Sequence, residues 1–232
     1  MMDVQHLTPE ALAAIFDHTL LRASASLSEL AQLCAEARQY GFGMVAINSA
    51  PVAFCRGQLE GSPVHVGAAV SFPLGQTTLD VKLFETEKAI RDGADEIDYV
   101  TDLTHVKEGD WNAVEEEMKR ITRMCREAGV ISKVIFENCY LTRDEIRRLA
   151  QIAREVEPDF IKTSTGFGPS GATAEDVRLM KQTVGDRVRV KAAGGIRSWE
   201  SCRAMLEAGA ERIGTSSSIR ILNEFIARRD RK

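Results

Sequence analysis

The chain is short of several things, and each shortage excludes a class of protein. Its five cysteines, Cys34, Cys55, Cys125, Cys139 and Cys202, are odd in number, and no two stand as C-x-x-C. That spacing indicates neither a disulfide framework nor a zinc site; the expectation is small buried hydrophobes in a reducing compartment, and no metal. No stretch approaches the roughly 18 apolar residues of a membrane span, and the opening residues show no basic segment followed by an apolar run. Excess charge is also scarce: −4 over 232 residues gives no reason to expect nucleic acid or an anionic membrane as the partner. Only six prolines interrupt the chain, and no linker or low-complexity tract divides it. One domain over residues 1–232, with a sizeable core, is therefore expected, in a cytoplasmic protein.

What the sequence does contain is one unit, repeated. Thr8-Pro9-Glu10 starts a short helix, with a capping residue ahead of a proline at the first helical position. Asp17 to Leu20 then reads as a strand, and Ser26-Leu27-Ser28-Glu29 is a capping box for the helix closed by Gly41. Strands follow at Met44–Ile47, Val64–Val70, Glu96–Val100, Ser132–Phe136, Phe160–Thr163, Val188–Ala192 and Arg212–Gly214. Helices opened by Thr78, Asn112, Thr142, Thr173, Ser198 and Ser218 stand between or after them, the last running into the charged tail Arg228–Lys232. Eight strands alternating with helices imply a parallel sheet, and at this length a closed (β/α)₈ TIM barrel with a short N-terminal helix. The competing architecture is a doubly wound open sheet, but no G-x-G-x-x-G opens the first βα unit.

Side chains alternate along a strand, so parity sorts the candidates. Phe160-Ile161-Lys162-Thr163 runs into Ser164-Thr165-Gly166, and Val188-Arg189-Val190-Lys191 runs into Ala192-Ala193-Gly194-Gly195. If Lys191 points inward, Val188, Val190 and Ala192 form an apolar surface for the helices. Asp98 shares a face with Glu96, and Lys133 with Ile135 and Glu137. One strand-end lysine is more often a snorkelling surface residue than a nucleophile. Two on adjacent strands, both of inward parity and both ahead of glycine-containing loops, are hard to explain as structure alone.

An amine is nucleophilic only when neutral, and bringing its pKa from about 10.4 to about 7 takes roughly 4 kcal/mol. A second cation about 4 Å away in partly screened surroundings contributes roughly that much. Neighbouring strands about 4.8 Å apart allow the approach. One lysine would then be an imine-forming nucleophile and the other its perturber and proton carrier, with Asp98 and Asp17 as acid/base and orienting groups. Gly166-Phe167-Gly168, Gly194-Gly195-Ile196-Arg197 and Gly214-Thr215-Ser216-Ser217 read as phosphate grips, because glycine lets backbone N–H groups come close and the last loop runs into a helix N-terminus.

In order, Asp17-His18-Thr19-Leu20-Leu21, Phe72-Pro73-Leu74-Gly75, Gly93 to Asp98, Asp159 to Gly166, Lys191 to Arg197 and Arg212 to Ser217 resemble the deoxyribose-phosphate aldolase family. The resemblance spans Phe16 to Ser217. It implies a class I aldolase without a cofactor that reversibly splits 2-deoxy-D-ribose 5-phosphate into D-glyceraldehyde 3-phosphate and acetaldehyde. It also implies that Lys162 forms the Schiff base, that Lys191 and Asp98 donate and accept protons, that Asp17 lies near the substrate hydroxyls, and that Lys133 belongs to the surrounding relay. Thr165, Gly166, Gly194, Gly195, Arg197, Gly214, Ser216 and Ser217 would hold the substrate and its phosphate. A homodimer or tetramer is the corresponding expectation. The chain departs from the family at Val45-Ala46-Ile47-Asn48-Ser49, where a cysteine and a proline are usual, and at Tyr99-Val100-Thr101-Asp102-Leu103. Two other readings stay open at this point: a phosphosugar isomerase or synthase on the same barrel, and a phosphosugar-binding barrel without turnover.

Overall fold

Local signals set the element boundaries. The computed structural model describes residue 4 and residues 6–229. The Thr8 hydroxyl accepts from the Ala11 amide at 3.2 Å and starts helix α1, Pro9–Ala14. Both expected capping boxes form, at Ser26 for α2 (Leu27–Tyr40) and at Thr142 for α7 (Arg143–Val156). Gly41 closes α2 in the left-handed conformation, which its missing Cβ makes cheap. The strands are β1 Phe16–Leu20, β2 Met44–Asn48, β3 His65–Val70, β4 Glu96–Val100, β5 Ile131–Ile135, β6 Phe160–Lys162, β7 Arg189–Ala193 and β8 Arg212–Thr215. They pair in parallel in chain order, and β8 pairs back onto β1, so the sheet is a closed eight-stranded barrel. The remaining helices are α3 Val52–Gln58, α4 Leu79–Arg91, α5 Leu103–Glu108, α6 Trp111–Glu127, α8 Ala174–Val184, α9 Trp199–Glu207 and α10 Ser218–Arg229.

Two of these helices depart from the expected pattern. The short α3 is seven residues with Gly57 in its last turn, and α5 is a six-residue segment capped by the Asp102 carboxylate on the Thr104 amide and ended by Gly109. Neither is long enough to show a helical period in the sequence. The cap of α6 is Asp110 rather than Asn112, and Thr78 precedes α4 without a capping hydrogen bond. Of the tail Arg228–Lys232, residues 230–232 lie outside the described residues.

The apolar core lies between barrel and helices, where outward strand residues such as Val45, Ile97, Val134, Ile161, Val190 and Ile213 are fully buried. The barrel interior is divided. Strands β2 and β3 contribute Met44, Ala46, Gly67 and Ala69; a Cβ on Gly67 would come within 2.3 Å of the Met44 sulfur, so glycine makes the room Met44 occupies. The other strands send charge inward. The register places Lys162 beside Lys191 and Asp98 beside Lys133.

Candidate active site

Lys162 and Lys191 both reach one oxygen. Asp98 Oδ2 accepts from Lys162 Nζ at 2.8 Å and from Lys191 Nζ at 2.6 Å, while its Oδ1 accepts from Lys133 Nζ at 2.6 Å. Lys191 also pairs with Asp17, and Lys133 with Glu96. All five expected polar residues of the barrel interior are therefore buried in one cluster, within contact of Asp98 or of a residue that touches it. Burial alone would push the Asp98 carboxyl upward; Lys133, Lys162 and Lys191 overcome it and hold it well below the usual carboxylate range. Burial also lowers the Lys133 amine, and Asp98 and Glu96 outweigh that and raise it.

Lys162 goes the other way. Its amine is brought down to about 8, first by burial and then, against the opposing pull of Asp98, by Lys191 and Lys133. The sequence argument gave that work to the second lysine; the structure gives the larger share to the desolvated floor of the barrel, with the neighbouring cations second. Above Lys162 opens a cavity of about 380 Å³ at the C-terminal ends of the strands. Its wall includes Lys162, Lys191, Thr165, Gly166, Gly194, Gly195, Arg197, Gly214 and Ser216, so loops after β6, β7 and β8 converge there. Phe167 also lines it and meets Phe72 edge-on at 5.4 Å; the Phe72 ring lies 6.0 Å from Lys162 Nζ. Ala46 is buried on the interior side of β2, and no cysteine is among the residues lining the cavity.

Two of the loop residues also make contacts within the protein that the sequence pattern does not show. The Thr165 amide and hydroxyl both turn to the buried Glu137 carboxylate, so this threonine ties its loop to the one after β5. The Ser217 amide is already taken by Thr215 Oγ1 at 2.9 Å, and Ser217 stands outside the cavity wall. The amides of Gly166, Gly195 and Ser216 have no partner among the described residues and remain for an anion. Gly194, at a φ of 86°, packs against Gly171, where any side chain on the latter would strike the Gly194 carbonyl. That contact fixes the two loops against each other.

Sequence reasoning gave no site role to Arg212, Glu137 or Phe72. Arg212 was within reach of it, since it shares a parity with the inward Gly214. It donates to Asp17 Oδ1 at 2.8 Å and to Glu96 Oε1 at 2.9 Å. Glu137 sits past its strand in a left-handed conformation, at a φ of 57°, which parity cannot anticipate.

The sequence from 11 to 221 matches the DeoC/LacD family of aldolases. It is 53% identical to the deoxyribose-phosphate aldolase of Lactobacillus acidophilus, over 92% of this chain and 90% of that one. To the deoxyribose-phosphate aldolase of Bacteroides thetaiotaomicron it is 49% identical, over 96% and 93%. Its fold matches the solved structure of the tetrameric deoxyribose phosphate aldolase from Aeropyrum pernix with a TM-score of 0.88, at 32% identity, covering 95% of this chain and 93% of that one. With two lysines meeting at one aspartate beneath an open barrel mouth, and relatives this close over nearly their whole length, the chain belongs to the DeoC/LacD aldolase family and is a lyase.

Proposed function

We propose that the chain catalyses the reversible cleavage of 2-deoxy-D-ribose 5-phosphate to D-glyceraldehyde 3-phosphate and acetaldehyde, through an imine on Lys162. The observation that carries this reading is the Lys162 amine. It lies at the floor of the cavity at the strand C-termini, with its pKa brought to about 8, so a useful fraction is neutral near pH 7. Lys162 attacks C1 of the open-chain sugar and water leaves. Asp98, acting through a water, takes the proton of the C3 hydroxyl as the C2–C3 bond breaks and D-glyceraldehyde 3-phosphate departs. The enamine left on Lys162 is protonated at C2, with Lys191 and Asp98 passing the proton, and hydrolysis releases acetaldehyde.

Asp17 and Lys133 keep those two groups in place through their ion pairs. The 5-phosphate fits the amides of Gly166, Gly195 and Ser216 with Arg197 at the rim, where the N-terminus of α10 adds its partial positive charge. The tetrameric Aeropyrum pernix relative supports a homo-oligomer, dimer or tetramer, for this chain as well. No described helix is long and apolar enough to cross a membrane.

The test is acetaldehyde followed by borohydride and peptide mass spectrometry. One added ethyl group is expected, on Lys162. Labelling on Lys191 instead would exchange the two roles, and no labelling on either would overturn the imine mechanism.

A further inference from the structure

The pairwise contacts inside the barrel close on themselves. Lys191 binds Asp17 and Asp98; Arg212 binds Asp17 and Glu96; Lys133 binds Glu96 and Asp98. Each cation therefore touches two carboxylates and each carboxylate two cations, giving a ring of alternating sign carried on β1, β4, β5, β7 and β8. Three positive and three negative charges make the ring neutral in itself. Two groups hang from it. Lys162 joins at Asp98, toward the mouth. His65 joins at Glu96, 2.7 Å away, with its ring part-exposed at the first residue of β3 and so at the opposite end of the barrel.

We propose that Arg212 and Glu96, which touch neither Lys162 nor the mouth, are positioning residues for the aldolase reaction: by closing the ring they commit the other interior charges to one another and leave Lys162 with no carboxylate beyond its share of Asp98. The inference rests on Lys162 being the imine-forming lysine. An open ring would not do the same. Without Arg212, Asp17 keeps only Lys191 and Glu96 keeps Lys133 and His65, so the interior carries an excess negative charge that favours a protonated Lys162. Without the Glu96 charge the excess is positive, and the proton leaves Lys162 more easily.

Lysine could not substitute for Arg212. The bridge uses Nε and a terminal nitrogen on Asp17, at 2.8 and 2.6 Å, with the terminal nitrogen also on both Glu96 oxygens at 2.9 and 3.2 Å. That is the work of a planar fork rather than a point charge. The Phe160 ring on β6 lies 5.7 Å from the guanidinium, within cation–π reach. Arg212 is 13% exposed and is held protonated: burial opposes this, and Asp17 and Glu96 outweigh it. The groups facing Lys162 itself are Asp98 from β4, Lys133 from β5 and Lys191 from β7, and each of them is a member of the ring.

The test follows the protonation of Lys162 directly, by the pH dependence of its acetylation with acetic anhydride, read by mass spectrometry against a free-amine standard. Thermal unfolding of each variant is measured alongside. Arg212→Met is expected to move the midpoint up by about one pH unit, Glu96→Gln to move it down by a similar amount, and the double variant to return it near the wild type. The acid limb of the kcat/KM profile should move with the midpoint in both single variants. Loss of a merely structural contact would not produce shifts of opposite sign. Shifts in the same direction, or none in a folded variant, would overturn the proposal. Should Arg212→Met fail to fold, the nearly isosteric Glu96→Gln decides, and a midpoint that stays or rises refutes it. Failure of the aldolase reading shows separately: Lys162 of the wild type would acetylate with a lowered midpoint yet trap no acetaldehyde.

Discussion

The molecule buries lysine in two places, and they are opposites. Inside the barrel, Lys162 shares Asp98 Oδ2 with Lys191 and stands under an open cavity. Outside it, between β4 and the helices α4 and α6, Lys82 is fully buried, donates to Glu117 at 2.7 Å and to the Val100 carbonyl at 2.8 Å. Glu117 in turn accepts from the Asp102 amide at 3.2 Å, which fastens the start of α5 behind the end of β4. Lys82 has a carboxylate of its own and no path to a substrate; Lys162 has neither a private partner nor a closed surrounding. Burial by itself therefore does not separate the two lysines; the role proposed for Lys162 rests on its lacking a counter-charge of its own together with access.

The comparison breaks first, and by the largest amount, at Lys162. Lys162→Met should reduce turnover by at least about ten-thousandfold, because Lys191, the other amine in the cavity wall, is held by Asp17 and Asp98. The same variant should be more stable than the wild type at neutral pH. Lys162 has a folded pKa of about 8, below its unfolded value of 10.5, so the unfolded chain binds the extra proton between those values. Stability of the wild type thus rises as pH climbs from about 8 to about 10.5, and the handicap below that window is at most about 3 kcal/mol. Denaturant unfolding of both proteins at pH 7 and pH 10.5 checks this. A variant no more stable at pH 7 would mean that the buried amine carries no penalty.

Lys82→Met should behave inversely. It leaves Glu117 buried without its cation, which costs about 3–5 kcal/mol of stability. Glu117 is already raised by burial against the pull of Lys82. In the variant it rises further, so stability is kept below the unfolded carboxylate value and lost as pH climbs through the raised one. Per folded molecule, kcat should stay within about threefold of the wild type, because no Lys82 atom reaches the cavity. Measuring unfolding at pH 5 and pH 8, with activity at a temperature where the variant is folded, separates the two effects. Equal stability at both pH values would mean that Glu117 is not the charge left behind.

How far the sequence alone could tell these two lysines apart shows what is legible in it. Capping boxes at Ser26 and Thr142 and the alternation of strands with helices were enough for a closed barrel, because each is a local signal confirmed by the next unit along. Lys162 and Lys191 stood out because strand parity and glycine loops are both written in neighbouring residues. Lys82 did not: it sits on α4 among Leu79, Leu83 and Phe84, where a lysine ordinarily reads as solvated, and its partner is 35 residues away on another helix. Arg212 closes contacts with residues 195 and 116 positions distant. Such pairings depend on how the barrel closes, which no window of sequence contains. Ser217 follows the phosphate-loop pattern as well, and the engagement of its amide by the Thr215 hydroxyl is visible only in the folded loop.

The smallest expected effect tests whether the outer pair is more than a partnered burial. Removing both of its members, as Lys82→Met with Glu117→Leu, takes away the two charges together and leaves apolar side chains of similar volume. Buried pairs replaced in this way are often neutral or better, since neither ion then has to be desolvated. Two hydrogen bonds are lost as well, from Lys82 to the Val100 carbonyl and from the Asp102 amide to Glu117. Each is worth about 1 kcal/mol net. The double variant should therefore lie within about 1–2 kcal/mol of the wild type, well above Lys82→Met alone. Its kcat should be unchanged, and the pH 5 to pH 8 difference of the single variant should vanish with the carboxylate. Should the double variant be as unstable as the single one, the hydrogen bonds from Lys82 to the Val100 carbonyl and from the Asp102 amide to Glu117 hold the end of β4 and the start of α5, and the charge pair is incidental. Should its kcat fall as well, the outer pair contributes to placing Asp98 through β4, and the division drawn between the two lysine sites is too sharp.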